Sequence, residues 1–180
     1  MDIVTHAIIG AVIAELVLWN ADYKKRVRGR IIGAIIAASP DLGALPAQFV
    51  FSWENGDWPW IYDPGHWTSK ENSYWMFPYW LTHSLLITGF VGIVLYKRGW
   101  EMWPLLAWAS HGFFDVFSHT GGWAIWVIYP LPGQIEGFGD PWSWHPSWWV
   151  VSAMFGFVVW YMISLVTDSW RANTLVPSRA

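Results

Sequence analysis

An all-α integral membrane bundle of about five transmembrane helices is the architecture to expect from this sequence, on three grounds. Apolar residues fill 54% of the 180 positions and charged residues only 13%, a balance too apolar for an ordinary soluble domain of this length. The apolar residues gather into runs near the ~20 positions that a spanning helix needs. Eighteen tryptophans cluster around Trp53 to Trp80 and Trp142 to Trp149, beside those runs, where amphipathic indole rings favour the headgroup zone. A Trp-rich soluble core is the competing reading, and the length of the neighbouring runs weighs against it.

The first run, Ile3 to Trp19, follows Asp2 and precedes the basic cluster Lys24 to Arg30. A secretory signal has the opposite charge order, so this run is expected to stay as a span. The second, Ile31 to Phe51, is interrupted by Ser39-Pro40-Asp41, Gly43 and Pro46. Proline removes a backbone donor, and broken backbone at depth is tolerated only against protein or water, which points to a cavity there. Trp80 to Tyr96, Met102 to Ser118 and Trp148 to Val166 complete the set.

The connections orient the bundle. Lys24, Lys25, Arg26, Arg28 and Arg30 follow the first run, Lys97 and Arg98 the third, and Arg171 and Arg179 the fifth, so every basic group except Lys70 falls on one side. That side is expected to be cytoplasmic, with the N-terminus out and the C-terminus in. The outer side receives two Trp-rich loops, about 52–79 and 120–147, with Glu54, Asp57, Asp63, Glu71, Glu136 and Asp140. No repeat or low-complexity linker divides the chain, so residues 1–180 read as one domain.

Several chemistries are excluded. The absence of cysteine removes disulfides, thiolate ligands and cysteine nucleophiles. A net charge of -3 without a long basic patch argues against nucleic acid. Gly-rich phosphate loops, G-x-S-x-G and H-E-x-x-H are all missing.

What remains is a set of ionisable residues inside or at the ends of apolar runs: His6, Asp41, His83, His111, Asp115 and His119. Such residues are costly in hydrocarbon and mark a site. His111, Asp115 and His119 step by four, which stacks imidazole, carboxylate and imidazole along one side of a helix. Groups so placed suit one or two divalent cations, with Zn–N and Zn–O distances of ~2.0–2.2 Å. Each residue has a plainer alternative. His111 and Asp115 could form a buried polar pair, and His6 and His83 could be interfacial histidines. Asp41 could cap a helix or form a turn, and His119, beside Gly121-Gly122, could cap a helix C-terminus.

Topology favours a shared site. His6, His83 and His119 fall at outer ends, while Asp41 and His111 lie about ten residues, ~15 Å of rise, from the cytoplasmic ends. All six can therefore converge in the outer half. Asp2 is a further ligand or a partner for His6. Glu15, on the face opposite His6, is expected to make a helix contact, and His66 and His145 to be surface or substrate-edge residues.

Four pieces in order, Met1-Asp2-Ile3-Val4-Thr5-His6, Ser39-Pro40-Asp41-Leu42, Thr82-His83-Ser84-Leu85 and His111-Gly112-Phe113-Phe114-Asp115 with Thr120-Gly121-Gly122 and Pro130, resemble the YdjM-type family of membrane-bound, metal-dependent hydrolases. That family is grouped with zinc phospholipase C and nuclease P1 type enzymes. The resemblance implies that His6, Asp41, His83, His111 and Asp115 are metal ligands, and that the chain sits in a prokaryotic inner membrane with its site facing the periplasm or exterior. Two positions depart from the family pattern: Gly43 stands where P-D-x-D has its second aspartate, and Pro78-Tyr79 where a His-Arg pair precedes Thr-His-Ser. Fewer ligands remain as a result, and His119 is a candidate replacement.

The expected function is metal-dependent hydrolysis of a phosphoester such as a lipid headgroup, with Zn²⁺ first by ligand type and Mn²⁺ or Fe²⁺ as alternatives. A divalent cation lowers the pKa of water toward neutrality and stabilises charge on a phosphoryl oxygen. Asp41 and Asp115 are the catalytic candidates, with Asp41 as general base. The rivals are a non-enzymatic membrane protein that binds or transports metal, and a structural scaffold in which the histidines only pair helices.

Overall fold

The computed structural model describes residues 3–55, 73–139 and 146–175. Asp2, His66, Lys70, His145 and half of the tryptophans of the two clusters, with the expectations attached to them, lie outside the described residues. Helix α1 (Ile3–Val17) is built largely of Ala, Ile and Val with no proline to interrupt it. A turn at 18–22 leads to α2 (Tyr23–Ala38), where the Asp22 carboxylate accepts from the Lys25 N–H at 2.9 Å. The basic cluster expected in a connection is therefore the first two turns of α2. Lys and Arg are good helix formers, and Asp22 satisfies an amide that a helix start leaves open.

At Pro40 the chain tightens into a 3-10 helix (Ser39–Ala44) and resumes as α3 (Leu45–Asn55). This is the interruption expected at Ser39-Pro40-Asp41, where a proline nitrogen has no hydrogen to donate. A 3-10 turn, Ser73–Met76, precedes α4 (Phe77–His83) and α5 (Leu85–Lys97). The expected third span is bent here by 64°. Its cause is Ser84, which is extended (φ -76°, ψ 123°) and caps α5. The Ser84 hydroxyl accepts from Ile87 N–H at 3.4 Å and donates to the Tyr129 carbonyl at 2.9 Å.

Helix α6 (Trp103–Ser118) follows. The loop beyond it holds a 3-10 turn and an antiparallel pair, β1 (Ile125–Trp126) and β2 (Gln134–Ile135), with Ile125 opposite Ile135. That small ribbon is a departure from the all-α expectation. Helix α7 (Pro146–Leu175) has 30 residues.

Small residues set the packing. A Cβ on Gly10 would strike the Gly33 carbonyl and one on Gly33 would strike the Gly10 carbonyl, so α1 and α2 cross backbone to backbone. Helix α6 leans on both. Helix α7 runs along α1, where a Cβ on Gly156 would sit 3.3 Å from Ile8 and the hydroxyls of Thr5 and Ser152 are 3.3 Å apart.

Polarity is distributed inside out. His6, Glu15, Arg26, His83, His111, Asp115 and His119 are buried, while Phe90, Phe155 and Val166 are 63%, 70% and 65% exposed. Two helical stretches, Tyr23–Ala47 and Ser147–Arg171, are long and apolar enough to cross a membrane, and a third if α4 and α5 form one bent span. Helices α1 and α6, of 15 and 16 residues, fall short of the ~20 that a straight span needs.

Candidate metal centre

The α1–α2 crossing builds one wall of the centre. His6 lies one turn before Gly10 on α1, and Ala37 one turn after Gly33 on α2, so the close contact brings both to the same end as Asp41. His111 and Asp115 enter from α6, four residues apart on one face. His83 is the last residue of α4, and the bend at Ser84 separates it from the direction of α5.

Backbone carbonyls orient both central imidazoles. His111 Nδ1 donates to the Ala37 carbonyl at 2.6 Å and His83 Nδ1 to the Tyr79 carbonyl at 2.7 Å. A carbonyl only accepts, so each Nδ1 carries a hydrogen and each neutral ring presents a bare lone pair at Nε2. Those two nitrogens lie 2.9 Å apart. Asp115 Oδ2 is 2.9 Å from His111 Nε2 and 3.4 Å from His83 Nε2. Asp41 Oδ1 is 3.3 Å and 3.8 Å from the same atoms. A tetrahedral shell with ligand distances of ~2.0–2.1 Å has edges of about 3.4 Å, which these separations bracket. The four donor atoms all lie within 4.8 Å of one another.

His6 and His119 stand one layer back, against the other carboxylate oxygen. His6 Nε2 is 3.0 Å from Asp115 Oδ1, and its ring stacks on His111 with centroids 3.7 Å apart. His119 Nδ1 lies 3.5 Å from Asp115 Oδ1 and 3.3 Å from the Asp115 carbonyl. Bonding to that last-turn carbonyl matches the plainer, capping alternative for a residue read first as a candidate ligand, and its side chain still faces the centre. Ser118 Oγ donates to Asp115 Oδ1 at 3.3 Å. All six residues are thus brought together, four as facing donors and two as supports of Asp115.

The cover is aromatic. The Tyr79 ring lies 3.9 Å from that of His83, and Trp123 meets Tyr79 edge-on at 5.3 Å. Ala47, Met76 and Ile125 complete this apolar cluster. The loop after α6 is strapped down by Gly137 N–H to the His119 carbonyl (2.8 Å) and Leu85 N–H to the Val127 carbonyl (2.8 Å). Three of the four donor side chains are fully enclosed, whereas Asp41 is 20% exposed and marks the open side.

The two departures from the YdjM-type pattern touch each other. A Cβ on Gly43 would lie 2.7 Å from Tyr79 Cα and 2.8 Å from the Pro78 carbonyl. Backbone occupies the space that an aspartate at 43 would need.

Sequence reasoning does not find the Ala37 and Tyr79 carbonyls, because main-chain acceptors leave no residue-type signature. Ser118 was detectable, being three residues beyond Asp115 on the same face. Glu15 makes a helix contact, as its face predicts, with Arg26, Arg30 and, at 3.0 Å, Thr167 of α7. Chemically, two imidazole lone pairs and two carboxylates form a donor set that suits one divalent cation, and the sum of charges would then be zero. Neutrality matters because a buried unpaired charge is costly. No family model, curated protein or solved structure matches the chain.

Proposed function

We propose that Asp41, His83, His111 and Asp115 hold one divalent cation, Zn²⁺ first, and that the protein is a membrane-embedded metal-dependent hydrolase of phosphoesters such as lipid headgroups. One observation carries the metal: two imidazole Nε2 atoms 2.9 Å apart, each with its hydrogen already committed on Nδ1 to a carbonyl. Two Nε2 atoms at that separation share a cation, either a proton, which would make one ring an imidazolium, or a metal ion; the two carboxylates that converge on the same point supply the negative charge that favours a divalent ion. The YdjM-type motifs agree with this reading. Five spans, with the N-terminus out and the C-terminus in, are supported by the inside-out polarity and by the single-sided basic residues.

When bound, the cation would supply Lewis acidity for water and for a phosphoryl oxygen. The chain's own residues do the rest. Asp115 is oriented by His6 and Ser118, and Tyr79 and its aromatic neighbours keep bulk water from the imidazoles. Asp41, at the open side, accepts the proton of the attacking water through the oxygen not turned to the imidazoles. Water oxygen bonds to phosphorus, the ester P–O bond breaks, and that proton passes to the leaving alkoxide.

A second reading has its own observation. Four protein donors can close a tetrahedral shell, and closed shells hold metal without performing chemistry. This describes a metal-binding or carrier protein. Metal analysis of detergent-purified protein, followed by phosphate and phospho-headgroup release assays, separates the readings. About one equivalent of metal per chain, lost in His111→Ala and Asp115→Ala together with activity, is the expected result. Metal-replete protein inert across a broad phosphoester panel makes it a carrier, and folded protein free of metal makes the histidines helix pairs in a scaffold.

A further inference from the structure

Two hollows lie at the opposite end of α6. Trp103 opens that helix and His111 follows eight residues later, ~12 Å along the axis. The Trp103 side chain is almost fully buried and borders two hollows of different chemistry. One, of about 690 Å³, lies at the start of α2, with Lys24, Lys25 and Arg28 beside Leu18 and Ile32. The other, of about 510 Å³, is almost wholly apolar and runs between α1, α5 and α6 past Val17, Leu85, Leu105 and Ala109.

Within the basic hollow the acidic groups are occupied. Glu101 accepts from Lys25 Nζ at 2.7 Å and from Trp103 Nε1 at 2.8 Å. Asp22 is spent on the Lys25 amide. Lys24 and Arg28, four apart on one helical face, make no ion pair within 4.0 Å among the described residues, although Arg28 is near enough to Glu101 to help hold its carboxyl down. Two exposed cations on one side of an indole and an apolar furrow on the other match the head and tail of a single amphiphile.

We propose that this end of the molecule binds one anionic glycerophospholipid, its phosphate on Lys24 and Arg28 and an acyl chain in the furrow past Trp103. Basic pockets between spanning helices at the cytoplasmic face are suited to anionic headgroups, and a tryptophan between head and tail sits where its amphipathic ring is most stable. The inference rests on the membrane reading of the chain and is independent of the metal centre.

The test begins by asking whether the protein stays in membranes through an alkaline carbonate wash; release there overturns the membrane reading itself. Retained protein is then purified in detergent and titrated with dioleoyl phosphatidylglycerol or dioleoyl phosphatidylcholine under native mass spectrometry. A preference of at least about tenfold for the anionic lipid is expected, from two basic groups near an anionic head. Lys24→Glu with Arg28→Glu should abolish it, and Asp41→Asn at the metal centre should keep it. Gly89→Trp fills the furrow from a position where an added Cβ meets nothing within 4 Å, and should weaken lipid binding without lowering the melting temperature. Equal binding of the two lipids, an unchanged preference in the double variant, loss in Asp41→Asn, or equally tight binding of inorganic phosphate would each overturn the proposal.

Discussion

The smallest decisive feature is a hydrogen atom. Because the Ala37 and Tyr79 carbonyls hold the Nδ1 hydrogens of His111 and His83, it is the Nε2 atom of each ring that faces the carboxylates and the other imidazole. Removing an outer support tests how far this ordering extends. His6→Ala deletes the contact to Asp115 Oδ1 and spares all four donors; metal affinity should fall ~10–100-fold with stoichiometry intact at saturation, read by competition with a fluorescent chelator. An unchanged affinity would show that His6 does not orient Asp115. Gly43→Asp probes the other side, where a Cβ lies 2.7 Å from Tyr79 Cα. Overpacking of that kind costs about 1–3 kcal/mol, so the melting temperature should drop and no second equivalent of metal should appear. The His111 and Asp115 pair was legible because i, i+4 spacing survives in any helix. The carbonyls were not, since every residue has one.

Among the elements, the α1–α2 crossing does most to assemble the centre. Gly10 and Gly33 permit contact of the two backbones, and that contact brings His6 of α1 to the same end as the Ala37 carbonyl, which holds the His111 ring that His6 stacks on. Gly33→Leu should therefore lose metal along with stability, although residue 33 touches no donor. Metal content and melting temperature measured on one preparation check this; full metal retention would mean the crossing is not what holds the site. The bend between α4 and α5 shows a limit of reading by hydropathy. Trp80 to Tyr96 looks like one apolar run, yet Ser84 ends one helix and caps the next. A single capping hydroxyl redirects the chain by 64° without altering the average polarity around it.

For the whole molecule, polar groups hold the interior together and apolar ones face outward. At the end away from the candidate metal centre, Glu15 takes both Arg26 and Arg30, and Arg26 also reaches Asp168 at 2.7 Å, linking α1, α2 and α7. Glu15→Ala leaves the buried Arg26 with Asp168 as its one ion-pair partner among the described residues and the half-buried Arg30 without one, and should cost up to ~3 kcal/mol, seen as a clear fall in melting temperature with metal still bound to the surviving folded fraction. A fall no larger than that of an exposed substitution would show the cluster to be dispensable. The exposed Lys25–Glu101 contact behaves differently. Lys25 and the Trp103 N–H hold Glu101 below its ordinary value of 4.5, so its contribution is complete above that value and disappears as pH falls through the lower folded one. Being exposed, it is worth about 0.2–1 kcal/mol and weakens with salt. Glu101→Gln should thus melt slightly lower than the parent at neutral pH and converge with it in acid; a constant gap would contradict the assignment. By itself the sequence determined helical segments of roughly these positions, an apolar exterior and the residue types of the centre, because spacing and composition act locally. Only the tertiary structure decided which nitrogen of each imidazole faces inward, that His6 and His119 support Asp115 from behind the four donors, and that backbone fills the space beside Gly43, because each depends on segments distant in sequence being pressed into contact.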